Sequence, residues 1–121
     1  MHKAHRAYAA VAKETAAPRE LEASLLLKAA SKLQSVYDGW NDNPKGLDEA
    51  VLYNRRLWTV FLDAVLERDN PLPASVRQNI ANIGIFVMGE THSLMTNPKP
   101  GHLVPLISIN RELAAGLRGS T

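Results

Sequence analysis

Apolar residues return at helical intervals along most of the chain, and prolines and glycines interrupt the pattern at a few places. Residues 3–15 are rich in alanine and weakly amphipathic, which predicts a short N-terminal helix or an arm. Pro18 stands where a first-turn proline belongs, with Arg19, Glu20, Leu21 and Glu22 after it, and predicts the start of a long helix reaching about Tyr37. Leu21, Leu25, Leu26, Ala29, Leu33, Val36 and Tyr37 fall in one broad arc of that helix, with Lys28, Ser31 and Ser35 opposite. Turn formers from Asp38-Gly39 to Pro44-Lys45-Gly46 predict a loop.

Leu47 to Glu67 is the clearest helix, since no glycine or proline interrupts it. Leu47, Val51, Leu57, Trp58, Phe61, Leu62 and Val65 make an apolar stripe, and Asp48, Glu49, Arg55, Arg56, Thr59, Asp63 and Glu67 a polar one. Asp69-Asn70-Pro71-Leu72-Pro73 stops that helix, and the second proline suits the start of another. The next runs from Ala74 to about Met95, with Val76, Ile80, Ile83, Val87 and Leu94 on one side. Its middle, residues 83–89, is apolar almost all round, which fits either a central helix or an exposed adhesive patch. After Asn97-Pro98-Lys99-Pro100-Gly101, a last helix spans Leu103–Leu117 with Leu103, Leu106, Leu113 and Leu117 inside. Pro105 is tolerable only in a first turn, so this helix should begin near His102–Val104. The expectation is one all-α domain over residues 1–121. It is an antiparallel bundle of four main helices, with residues 1–17 as the N-terminal helix or arm. Leu57, Trp58, Phe61, Ile80, Ile83, Val87, Leu106 and Leu113 are the expected core.

Composition narrows the classes. A chain of 121 residues suits one domain, large enough to hold a core without crosslinks. It has no cysteine, so disulfides and thiolate metal sites are excluded. The net charge is only +2, and the longest basic run is the pair Arg55-Arg56. A nucleic-acid binder usually concentrates lysine and arginine on one face. No stretch reaches the ~18–20 apolar residues needed to cross a bilayer. Lys13 and Glu14 break any signal-peptide core behind the basic N-terminus, so a cytoplasmic protein is expected.

No catalytic pattern emerges. The serines are scattered, with none in a Gly-x-Ser-x-Gly setting, and no phosphate loop occurs. His2 and His5 are one helical turn apart but lack a third ligand, and His92 and His102 flank the Pro98–Gly101 loop. The chain is therefore expected to bind rather than catalyse, with no cofactor and no metal. Three amides merit notice. Asn54 and Asn110 each interrupt the centre of an apolar stripe, and Asn70 opens a proline turn. A buried amide needs partners or costs about 1–3 kcal/mol. Asn54 and Asn110 therefore either bond a neighbouring element and set its register or contact a ligand. Trp58 sits mid-stripe, whereas Trp40 lies in a loop and is freer to meet a partner.

The run Asn54-Arg55-Arg56-Leu57-Trp58-Thr59 is followed after one helix by Asn70-Pro71-Leu72-Pro73, then by Ile107-Ser108-Ile109-Asn110-Arg111 and Gly116-Leu117. In order and spacing this resembles the FlaF flagellar biosynthesis family. The likeness covers nearly the whole chain and is most specific over residues 51–117. Met1 to Arg6 depart from the family's usual start. The resemblance implies a part in building the filament in bacteria of the alphaproteobacterial type. It further implies a protein that supports flagellin production, acts beside an FlbT-type companion, and binds flagellin as a secretion chaperone. A helical bundle can lay an amphipathic segment in an apolar groove. Ile85 and Phe86 are the candidate groove wall, and Trp40, Arg55 and Arg56 further candidate contacts. Two other readings stand beside it: a regulator contacting flagellin messenger RNA through Arg55, Arg56 and Arg77, and an adaptor that binds only its companion. Oligomeric state is not legible.

Overall fold

The computed structural model describes the backbone of residues 2–119 and the side chains of residues 19–119. Four helices carry the chain: α1 (His2–Asp38), α2 (Leu47–Leu66), α3 (Ala74–Thr96) and α4 (Leu103–Leu117), with a 3-10 turn at Pro100–His102. No strand occurs among the described residues, so the fold is all-α. The expected start at Pro18 is corrected: α1 passes through it unbroken, and the N-terminal segment extends α1 rather than forming a separate element. Proline costs a helix one hydrogen bond and a steric clash. Alanine-rich sequence on its N-terminal side supplies strong helix formers that carry the helix through. The side chains of His2 and His5 lie outside the described residues.

The core forms where α1, α2 and α4 meet. Helix α1 runs antiparallel along α4, since Arg118 donates to Glu20 and Arg111 to Gln34. Ala23, Leu26, Ala30 and Leu33 of α1 are buried together with Leu103, Leu106, Asn110 and Ala114 of α4. Alanines on both surfaces let the axes approach closely. Helix α2 lays Ala50, Val51, Asn54 and Trp58 into the same core. Its acidic first turn, Asp48 and Glu49, complements the positive end of the helix dipole. The Glu20–Arg118 pair depresses the Glu20 carboxyl through hydrogen bonds to the guanidinium, but both ends are solvated and the pair is a weak tether. Burial pushes the Glu22 carboxyl up, with Arg19 opposing the shift.

Helix α3 contributes Gly84, Val87, Thr91 and Leu94 as its buried residues, with Ile80 and Met88 partly buried against the core. No residue of α3 before Gly84 is buried. Helix α4 packs chiefly along α1 and only sparsely against α3, whose main neighbour is α2. Among the expected core, Trp58, Val87 and Leu106 are buried, and Leu57, Phe61, Ile80 and Leu113 are half-buried against it. Ile83 is a correction. It is 38% exposed, as is Val76 at 39%, because no helix covers that side of α3. Leu21 and Tyr37 likewise face outward at the edge of the α1 arc.

Trp40 is also corrected. Its side chain is half-buried against the core and lines a depression with Pro44, Leu47 and Pro98, so it is a packed loop residue with one accessible face. Asn70 works as a structural amide in the turn between α2 and α3. Its Nδ2 donates to Ala64 O at 2.9 Å, and its Oδ1 accepts from Leu72 N–H at 3.0 Å. It thus stops α2 and shapes the proline turn at once. Asn70→Ala is expected to lower unfolding free energy by about 1–2 kcal/mol. Urea titration followed by circular dichroism would show it, and an unchanged midpoint would mean the turn is held by its prolines alone.

Candidate docking site

Two sites emerge from the residues that break the binary pattern. The first lies inside. Trp58 Nε1 donates to Asn110 Oδ1 at 2.9 Å, and Asn110 Nδ2 donates to Asn54 Oδ1 at 2.6 Å. All three side chains are fully buried. Indole N–H can only donate, so Trp58 dictates which end of the Asn110 amide faces it, and Asn110 then dictates the orientation of Asn54. Asn54 Nδ2 is left without a partner among the described residues. The chain of bonds joins α2 to α4, and Phe61 packs edge-on against Trp58 at 5.9 Å between ring centroids. These amides bond each other across two helices, which is the register-setting arrangement, and they are inaccessible to a ligand from outside.

The second site lies outside, on the α2–α3 pair. Exposed large apolar residues concentrate here: Leu52, Val60 and Leu66 on α2, and Val76, Ile83, Ile85, Phe86 and Met95 on α3. Val76, Ile83 and Phe86 share one flank at helical spacing. Glu90 continues that flank, its carboxylate accepting from His102 Nδ1 at 2.7 Å, which places it on the side of α4. On α4, Ile109, Leu113 and Leu117 are half-buried against the core. Ile85 is about 100° further round the helix and belongs to the opposite flank. The single Ile85–Phe86 patch expected from sequence is therefore divided, with Ile85 70% and Phe86 47% exposed.

On the flank facing α2, a pocket of about 230 Å³ opens between the start of α2 and the end of α3. Leu47, Val51 and Leu94 form its buried floor, Leu52 and Met95 its exposed walls, and Asp48 and Arg55 its charged rim. Sequence reasoning missed Leu52, Leu94 and Met95 as site residues. The available signal was Leu52, an aliphatic residue standing on the polar stripe of α2. Arg55 faces this pocket, whereas Arg56 lines a shallow depression with Tyr53 and Val60, so the two arginines point to different surfaces. Tyr53 itself carries Lys28 and Lys32 near its ring, at 5.6 and 5.3 Å from the centroid.

Close contact between α2 and α3 depends on Gly84. A β-carbon there would fall inside the Leu62 side chain, which rests directly on the glycine. Gly84→Val is expected to destabilise by about 1–3 kcal/mol through overpacking. Adding Leu62→Ala should recover part of the loss in the same urea titration. No recovery would show that the strain lies elsewhere.

A family model described as flagellar protein FlaF matches residues 4–117. The chain belongs to the FlaF family. No curated protein and no solved structure matches it. Membership makes this a flagellar protein and accounts for the motif residues: the Asn54, Trp58 and Asn110 that mark the FlaF resemblance are the members of the buried bond chain. Among the described residues, no three histidine, aspartate or glutamate side chains come together as metal ligands, and no helix is long and apolar enough to cross a membrane.

Proposed function

We propose that this FlaF-family chain is a cytoplasmic flagellin-binding chaperone that works by docking an amphipathic flagellin segment on α3, without catalysis. The observation that carries the reading is the bareness of that helix. Val76, Ile83, Ile85, Phe86 and Met95 all stand exposed on one 23-residue element. Scattered surface aliphatics are ordinary, but a concentration on one helix marks an interaction surface. Flagellin is the cargo that the flagellar family assignment favours. A helix laid along one flank of α3 would bury Val76, Ile83 and Phe86 as anchors at helical spacing, and along the other flank Ile85 and Met95. Calorimetric titration of the intact chain with monomeric flagellin tests it, with a 1:1 complex as the expected result. Absence of heat and of co-elution would remove the proposal.

Less supports the messenger-RNA reading. Arg55 and Arg56 point to different surfaces, and Arg77 is half-buried with its guanidinium turned to Glu67 O. RNA affinity that falls steeply with salt would favour that alternative. Binding to an FlbT-type companion alone, with no affinity for flagellin, would favour an adaptor.

A further inference from the structure

We propose that the pocket between α2 and α3 takes one bulky apolar side chain of a guest helix, which arrives with a cationic residue over Asp48 and an anionic residue over Arg55. This rests on the reading of the chain as a carrier of an amphipathic segment, and it assigns that segment a side, a charge order and a direction.

The pocket sets the size and polarity of what enters. Its volume of about 230 Å³ lies below the ~300–1,000 Å³ of small-molecule sites. It suits a single leucine, methionine or phenylalanine side chain. Its floor is aliphatic and offers no donor or acceptor to fix a polar metabolite. The rim sets the charge pattern. Asp48 and Arg55 are seven residues apart on α2, so they stand on one face about 10 Å apart along the axis, with Leu52 between them. Both are exposed, and neither belongs to an ion pair among the described residues, whereas the adjacent Glu49 is held by Lys32 at 3.0 Å. A guest helix matching this rim carries its cation and anion at i and i+7, with the apolar anchor at i+3 or i+4. Opposite charges at the two ends of the pocket make the guest's direction a matter of electrostatics, since the reversed helix meets like charges.

The test is the paired exchange Asp48→Lys with Arg55→Glu in the full chain, titrated with monomeric flagellin. The exchange leaves the net charge at +2, so nonspecific attraction predicts no change. The expected result is about a tenfold or greater loss of affinity, shrinking as salt is raised to screen the rim. Met95→Asp, at a position 59% exposed and therefore harmless to the core, should lose at least tenfold at any salt. Circular dichroism confirms that both variants fold. If both bind flagellin as the parent does while Phe86→Asp loses it, docking is on the α4 flank. The pocket proposal then fails and the chaperone reading stands. If the parent does not bind flagellin at all, both fail. If the free chain self-associates and only that association is lost in the exchange, the occupant is a second copy and the proposal is overturned.

Discussion

Replacing Asn110 with leucine is expected to cost about 3–5 kcal/mol of stability, whereas Asn54→Leu should cost about 1 kcal/mol or less. The two residues look alike in sequence, each a buried asparagine in mid-stripe, but they hold unequal places in the bond chain. Asn110 is the middle link. Its loss strands the Trp58 indole N–H and the Asn54 carbonyl oxygen, in addition to the Asn54 Nδ2 that already lacks a partner among the described residues. Asn54 is the end link. Its replacement frees Asn110 Nδ2 but removes the unpartnered Asn54 amide, so the number of stranded groups does not rise. Leucine is close to asparagine in reach, so cavity formation adds little to either change. Urea unfolding of the two variants side by side decides the point. Equal losses, or an Asn110→Leu variant within about 1 kcal/mol of the parent, would show that register is set by the apolar packing and not by the amides.

The largest functional effect is expected from Ile85→Asp combined with Phe86→Asp. Each residue is the most solvent-facing apolar side chain near the middle of its flank, at 70% and 47% exposure. Burial of an aliphatic or aromatic anchor contributes about 1.5–3 kcal/mol, so losing the anchor on the docking flank should make the double variant bind flagellin at least about tenfold more weakly. Stability should move far less. Ile85→Asp changes a surface position and should stay within about 0.5 kcal/mol, and Phe86→Asp, half packed, should lose about 1 kcal/mol. The single variants then assign the flank, since Ile85 lies on the α2 side and Phe86 on the α4 side. An unchanged flagellin affinity in the double variant, measured by calorimetry with the fold intact, would mean that α3 is not the docking helix.

Both predictions concern residues that stood out in the sequence for breaking a pattern, and the structure separates what was visible from what was not. Helix existence and boundaries were legible because their causes are local. The uninterrupted stripe starting at Leu47, the paired prolines 71 and 73, and the first-turn Pro105 each act within a few residues, and α2, α3 and α4 begin where those signals stand. The same holds for the polar interruptions at Asn54 and Asn110, which a 3.6-residue period exposes at once. Pro18 carries a strong local start signal, but the alanine-rich helix on its N-terminal side continues through it.

What only the tertiary structure decided is which neighbour covers each face. Periodicity says that Val76, Ile83 and Phe86 lie on one flank, yet it cannot say that α4 packs along α1 rather than α3 and leaves this flank exposed. Nor can it say that Trp58, Asn110 and Asn54, separated by up to 56 positions, meet in one chain of hydrogen bonds. The sequence by itself determined four amphipathic helices and their turns, because a helix is written in contacts three and four residues apart. The pocket at Leu52 and Met95, the split of Ile85 from Phe86 and the half-burial of Trp40 depend on which helices pack together, and those packing surfaces are distant in the chain.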